Sequence, residues 1–284
     1  MNTPIYPCLG ALVGDTVGSV YEFNNIKTTD FPLFGHYSSF TDDSVMTMAI
    51  ADWLANTDRS EEQQVETMVK WGTQYPDADY GGGFWRWLFS PKSLIDFNGN
   101  VTHKRAPYYS WGNGSAMRCS ACGWVANTVE EAIALGEQSA IVSHNHPEGL
   151  RGAEATAAAI FLARDGADKE EIRSFIERIF FYDLHTDCDE IRPRYGWEVS
   201  CQGTVPPAIV AFLDSWDFES ATRLAVSLGG DSDTLACITG GIAQAYYKEI
   251  PESIITEMRN RLPAQFWAVM EQLEKKIAFN SQQL

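Results

Sequence analysis

Apolar residues along this chain recur mostly at helical spacing, in long alanine-rich runs, and strand signals are few. That pattern predicts helices from Leu9 to Val20, Ser44 to Leu54, Glu61 to Thr73, Ala116 to Val125, Thr128 to Ile141 and Gly149 to Arg164. It predicts five more from Lys169 to Phe180, Thr204 to Leu213, Phe218 to Val226, Thr234 to Tyr247 and Pro251 to Leu262. Start signals support several of them: Asn127-Thr128 precedes Glu130-Glu131, Thr57 to Ser60 precedes Glu61-Glu62, and Pro251 fits a first helical turn. Between the helices, Tyr75 to Gly83, Ser90 to Tyr109 and Asp183 to Ser200 are long, irregular and polar or glycine-rich. Loops of that length inside a compact unit usually carry function. The expectation is an all-α fold: one compact domain over residues 1–284, with orthogonally packed helices and long functional loops.

Two of the predicted helices open on acids. Thr41-Asp42-Asp43 leads into Ser44 to Ile50, and Gly229-Gly230-Asp231-Ser232-Asp233-Thr234 leads into Leu235 to Ile238. A carboxylate at a helix start caps free N–H groups and complements the helix dipole, which is the ordinary reason to find one there. Geometry points further. Inside an α-helix, side chains two apart diverge by about 200°, so Asp231 and Asp233 converge only if Asp231 sits in the turn before the helix. Gly229-Gly230 supplies the freedom for that turn. Asp42 and Asp43 can straddle a helix start in the same way. Four carboxylates brought together repel, each pair by about 4 kcal/mol at about 4 Å and an effective dielectric of about 20. Two divalent cations would cancel that charge, and the hydroxyls of Thr41 and Thr234 would complete octahedral shells without adding any. Hard oxygen donors suit Mg²⁺, or Mn²⁺, rather than zinc. If the clusters meet in space, they form a site for two such ions.

The overall charge narrows the partners. Lys+Arg is 21 against Asp+Glu 38, a formal charge of −17, which argues against a nucleic-acid backbone as the main partner. An anionic small molecule stays open, because bound metal ions reverse the local field; solubility alone is the other reading of the acidity. With 284 residues, 45% of them hydrophobic, the chain can bury one large core. No apolar run is long enough to cross a bilayer, and Met1-Asn2-Thr3-Pro4 lacks a basic segment before an apolar one. A cytoplasmic monomer without a signal peptide is therefore the default expectation. Of six cysteines, only Cys119 and Cys122 form a CxxC. Without a second pair, and with apolar neighbours on both sides, they read as buried core thiols in a reducing compartment.

Smaller features each admit two readings. Gly81-Gly82-Gly83 would let backbone N–H groups approach a phosphate as in an anion nest, or form a flexible turn. No Lys-Ser or Lys-Thr follows it, which excludes a triphosphate P-loop. Gly112-Asn113-Gly114 can adopt positive φ and aim Asn113 at a ligand or the backbone, or make an ordinary tight turn. Trp111 suits adenine stacking and core burial equally. His144 and His146 have no third ligand placed by spacing, so polar lining is favoured over zinc. Glu22 reads as a surface acid after a helix or as a site residue, Asp15 as a brace, and the run Phe84 to Phe89 as a buried anchor.

Five motifs taken in order carry a family resemblance: Gly10 to Glu22; Phe40 to Ser44; Ser110-Trp111-Gly112-Asn113-Gly114-Ser115-Ala116-Met117-Arg118; Thr204 to Ala208; and Gly230 to Thr234. With them the chain resembles the ADP-ribosylglycohydrolases, including the dinitrogenase-reductase-activating type, all-α hydrolases that remove ADP-ribose using two metal ions. The resemblance implies metal ligation by Thr41, Asp42, Asp43, Asp231, Asp233 and Thr234. It implies a mobile Glu22 over the scissile bond or the metals, and an ADP-ribose site lined by Ser110, Trp111, Gly112, Asn113 and Gly114. His144 would contact the nucleotide side and Gly81, Gly82 and Gly83 the pyrophosphate, the loosest of these matches. Ser232, inside the second acidic motif, is assigned to substrate. The substrate would be an ADP-ribosylated protein or related conjugate, with Asp42 or Glu22 taking the water's proton or assisting the leaving group. Three other classes remain: a non-catalytic ADP-ribose binder or toxin-neutralising protein, a structural protein of crystallin type, and a phosphodiesterase.

Overall fold

A computed structural model of the chain describes residues 5–90, 94–95, 101–102 and 105–281. Among these residues the fold is all-α, with fifteen helices and one two-residue antiparallel pair, β1 (Leu94–Ile95) with β2 (Val101–Thr102). The helices are α1 (Leu9–Gly18), α2 (Asp42–Asn56), α3 (Glu61–Gln74), α4 (Gly82–Phe89), α5 (Gly114–Met117), α6 (Ser120–Val125), α7 (Val129–Ile141) and α8 (Pro147–Asp165). They continue as α9 (Lys169–Phe180), α10 (Cys188–Ile191), α11 (Cys201–Asp214), α12 (Phe218–Ser227), α13 (Ser232–Tyr247), α14 (Glu252–Arg261) and α15 (Ala264–Ser281). None of them is long and apolar enough to cross a membrane.

Helix α13 is the centre of the molecule. It is buried from Ser232 to Ala245 and packs against α1, α8, α11 and α12. Its closest neighbour is α1, and glycine makes that possible: Gly10, Gly14 and Gly18 form one stripe, four residues apart. A Cβ at Gly14 would lie 1.9 Å from the Ala236 carbonyl oxygen, and one at Gly10 would lie 2.3 Å from that of Gly240. The two backbones touch directly, so α1 and α13 are held in a fixed register. The start of α1 is also tied to α13: Gly10 N–H donates to Gln244 Oε1 at 2.7 Å.

Local chemistry explains most helix boundaries. Ser60 caps α3 and Thr128 caps α7, each accepting a backbone N–H three residues on. Helix α11 starts at Cys201, earlier than expected, and contains Pro206 and Pro207. Pro207 has no N–H to give the Gly203 carbonyl; Tyr195 donates its hydroxyl there instead, at 3.1 Å. The single helix expected from Ala116 to Val125 is two, α5 and α6, broken at Arg118 and Cys119. All six cysteines are buried and unbridged, and burial raises each thiol pKa, so they act as core side chains. Half of the loop from Ser90 to Tyr109 lies outside the described residues.

Candidate active site

Both acidic motifs are positioned from the last turn of α1. On one face, a Cβ at Gly18 would fall 2.4 Å from Asp233 Cα, and Ser232 Oγ donates to the Gly18 carbonyl at 3.1 Å. On another face, the buried Asp15 carboxylate organises the start of α2. It accepts from Thr41 N–H at 2.9 Å, Thr41 Oγ1 at 2.7 Å and Ser44 N–H at 3.0 Å, and from the Ser44 hydroxyl. Thr41 in turn caps α2. Asp231 lies in the turn before α13, with Gly229 at φ +75° and Gly230 at φ +69°, the left-handed conformations that favour glycine. The two motifs therefore meet: Thr234 Oγ1 lies 3.4 Å from Asp43 Oδ2.

Glu22, just beyond α1, completes the group. One carboxylate oxygen from each of Glu22, Asp231 and Asp233 lies within 4.8 Å of the others. All three, with Asp42, Asp43 and Thr234, line a cavity of about 550 Å³. Among the described residues no lysine or arginine pairs with any of these five acids. The electrostatic consequence is large. Burial first, then the neighbouring carboxylates, push Asp42, Asp43 and Asp233 well above the usual carboxylate range. The same two causes raise Glu22 to about 7. Burial raises Asp15 to about 6 against the hydrogen bonds that lower it.

The donor set fits a divalent cation. Every candidate donor is a hard oxygen, and Asp43 Oδ1 is buried without a hydrogen-bond partner. One expected metal ligand and one expected substrate contact stand apart. Thr41 is buried with its proton directed at Asp15, and it is absent from the cavity lining. Ser232, expected at the substrate, is fully buried against Gly18 and does not reach the cavity.

More of the cavity wall comes from the two glycine segments. Gly81, Gly82 and Gly83 line the cavity as the start of α4. They are neither a nest nor a flexible turn but an open helix N-terminus: a Cβ at Gly81 or Gly82 would meet nothing, and no side chain caps the first N–H groups. Such an end attracts anions. Behind it, Phe84, Trp87 and Leu88 are buried as the expected anchor, while Trp85 is half exposed. The positive φ expected at Gly112 and Gly114 is absent. Glycine is needed there for proximity, since a Cβ at Gly114 would press on His144 Nε2 at 3.2 Å. Asn113 is turned towards the acids and donates Nδ2 to Asp231 Oδ2 at 2.7 Å and Thr204 Oγ1 at 3.2 Å. Trp111 is 46% exposed at the cavity, not a core residue, and Ser110 lines the wall beside it.

Arg118 sits beneath this wall. It is buried, lies over the Phe84 ring, and donates Nη2 to Ser139 O at 2.7 Å and Ser143 Oγ at 2.9 Å. Arg118 Nη1, which can only donate, also faces His144 Nδ1 at 3.5 Å, so Nδ1 is the acceptor for Ser143 Oγ at 2.8 Å and Nε2 carries the imidazole hydrogen. Burial, then the Arg118 charge, lower the His144 pKa well below its ordinary value, so the ring is neutral. His146 does not line the cavity; it caps α8, accepting Glu148 N–H at Nδ1. The cavity lining thus combines the acids with Arg86, Arg118 and the α4 N-terminus.

Several lining residues had no sequence-level signal. Asp79 stands beside the acids with an uncommon left-handed φ of 63°. Tyr109 and Trp197, 61% and 55% exposed, form an aromatic rim with Trp111. Each lies in a segment expected to be functional, but nothing local marks which residue faces inward.

Comparison with known proteins gives a consistent result. A family model described as ADP-ribosylglycohydrolase matches residues 7–283. The ADP-ribosylhydrolase ARH3 of Mus musculus is 27% identical over 326 residues, spanning 87% of this chain and 85% of its own length. The corresponding protein of Homo sapiens is 27% identical over 327 residues, with 87% and 86% covered. An ADP-ribosylarginine hydrolase of Pseudomonas putida is 26% identical over 267 residues, with 84% and 69% covered. A solved structure, an ADP-ribosylglycohydrolase-related protein complex, superposes with a TM-score of 0.71 at 25% identity, over 96% of this chain and 97% of its own.

Proposed function

The chain belongs to the ADP-ribosylglycohydrolase family, and from that footing we propose that it is a divalent-cation-dependent hydrolase that cleaves the glycosidic bond between ADP-ribose and a modified target. Membership makes it a glycosyl hydrolase; the cation and the target are the parts proposed. One observation carries the reading: two acidic helix starts, distant in sequence, converge with Glu22 in a cavity that Arg86, Arg118 and the start of α4 also line.

Asp42, Asp43, Asp231, Asp233 and Thr234 would hold two Mg²⁺ or Mn²⁺ ions, with Glu22 at their edge. Bound there, the ions would supply Lewis-acid polarisation of the ribose hydroxyls and of a water. The chain's own residues do the rest. The open N-terminus of α4 and the fixed charge of Arg118 suit the pyrophosphate. Trp111 offers an exposed aromatic face to the adenine. The neutral His144 has a donor at Nε2 behind the Gly112–Gly114 turn. Asn113 holds Asp231 in place. As the bond to the target breaks, positive charge grows on the sugar carbon, beside the carboxylates that stabilise it. Glu22 or Asp42 accepts the proton from the attacking water or delivers one to the leaving group.

The test is release of intact ADP-ribose from arginine-linked and serine-linked peptides, with MgCl₂ or with EDTA. Release in MgCl₂ alone is expected, and Asp42→Ala or Asp233→Ala should abolish it in a folded protein. A rate indifferent to EDTA removes the cation from the reading, and AMP as product makes the protein a phosphodiesterase.

A further inference from the structure

Glu22 stands apart from the other acids of the site. The aspartates open helices, whereas Glu22 lies on the irregular segment between α1 and α2, beside Asp231 and Asp233. We infer that Asn25 is a positioning residue for the reaction: its carboxamide fastens the Glu22 segment to the turn that carries Asp231. The inference rests on the hydrolase reading above.

The contacts are specific. The two hydrogens on Asn25 Nδ2 serve three carbonyls, one of them shared: those of Tyr21 at 2.7 Å, Glu22 at 2.8 Å and Gly230 at 2.9 Å. Its Oδ1 accepts the Gly230 N–H at 2.7 Å. One side chain thus holds the backbone of Glu22 and both polar backbone atoms of Gly230, the residue before Asp231. Only a carboxamide offers donor and acceptor together at these positions. The turn is shaped around the clamp, since a Cβ at Gly229 would meet Lys27 Nζ at 2.9 Å and Asn25 Oδ1 at 3.3 Å. Lys27 adds a second fastening, donating Nζ to the carbonyls of Tyr195, at 2.7 Å, and Leu228. Phe23, beside Glu22, stacks on Trp197 at 5.5 Å between ring centres. The Glu22 segment, the Asp231 turn and the Trp197 loop are therefore joined at one point, and Asn25 is the part of the joint that touches both acid-bearing segments.

The experiment compares Asn25→Ala, Asn25→Asp and the neighbouring control Asn24→Ala, each in excess MgCl₂, on whichever ADP-ribosylated peptide the wild type cleaves. Asn25→Ala should lower kcat about tenfold with KM and thermal midpoint nearly unchanged. Asn25→Asp should be worse, because a carboxylate cannot donate to three carbonyls, and its rate relative to wild type should rise as pH falls and the new carboxyl protonates. Asn24→Ala should match wild type. Amide hydrogen exchange in residues 20–28 and 228–231 should quicken in both Asn25 variants. Wild-type kcat in both, a loss explained by the unfolded fraction, or unchanged exchange would overturn the clamp. A wild type that cleaves no conjugate defeats the hydrolase reading instead, and the exchange result then decides the clamp alone.

Discussion

Two alanine substitutions in α1 separate the role of its glycine stripe in stability from its role in chemistry. At Gly18 an added Cβ would lie 2.4 Å from Asp233 Cα and 2.6 Å from Asp233 N; at Gly10 it would lie 2.3 Å from Gly240 O and 2.6 Å from Gln244 Cβ. Ordinary contact begins at 3.4 Å, so either variant must force α1 and α13 apart by about 1 Å at the point of insertion, an overpacking that costs about 1–3 kcal/mol. The insults are nearly equal, but they fall about 12 Å apart along the helix. At Gly10 the displaced atoms are in the body of α13. At Gly18 they are the backbone of Asp233 itself, and a misplacement of about 1 Å near the reacting centre costs about 100-fold in rate. Urea denaturation should therefore show similar losses for Gly10→Ala and Gly18→Ala. ADP-ribose release, corrected for folded fraction, should fall about 100-fold in Gly18→Ala and less than about threefold in Gly10→Ala. Equal activity in the two, whether both retained or both lost, would refute the idea that α1 sets the position of Asp233.

The acid cluster makes a pH prediction with a definite sign. Glu22 rises from 4.5 to about 7 in the fold and Asp15 from 3.8 to about 6, so between those values the folded chain holds more protons than the unfolded one. The stability they contribute is complete below the unfolded values and is lost as pH rises through the folded ones. The chelated protein should melt higher at about pH 5 than at about pH 7.5, and excess MgCl₂ should help most at the higher pH; a midpoint that rises with pH in EDTA would sink this. Asp15→Ala strips acceptors from two backbone N–H groups and two hydroxyls and should cost about 3 kcal/mol in urea unfolding, more than Asp15→Asn. Trp111→Ala, at a half-exposed side chain, should weaken free ADP-ribose binding about tenfold by calorimetry with no change in thermal midpoint.

The legibility of this chain follows the range of its interactions. Helices with an amphipathic stripe and a local cap, such as α3 and α7, lie where the sequence puts them. So does Asp231, because a spacing of two before a helix leaves one workable geometry. Helix α4 was hidden because three glycines argue for a turn, whereas here they leave a helix N-terminus open to the cavity. Helix α15 carries Phe266, Val269, Met270 and Leu273 on one buried face, but Pro263 makes it resemble the end of a helix rather than the gap between two. The roles of Thr41, Ser232 and Asn113 were obscured for another reason. Each is settled by a partner remote in sequence, Asp15, Gly18 and Asp231 respectively, that no local pattern names.

The arrangement also explains how a core tolerates so many uncompensated acids. Pairwise repulsion of about 4 kcal/mol at about 4 Å, at an effective dielectric of about 20, would open a site built on loops. Here it is resisted by helices whose remaining turns are buried: α2 from Asp43 to Leu54, and α13 from Ser232 to Ala245. Both are registered on α1, through Asp15 and through Gly18. The aspartates therefore cannot retreat without breaking the core, and they present a preformed cradle of carboxyl oxygens whether or not a cation is bound. Glu22 carries the same charge without that backing. Its segment is retained by a few hydrogen bonds at the surface, each worth about 1 kcal/mol. Repulsion and tether are closest to balance for this acid, so Glu22 is the acid of the site whose displacement disturbs the core least.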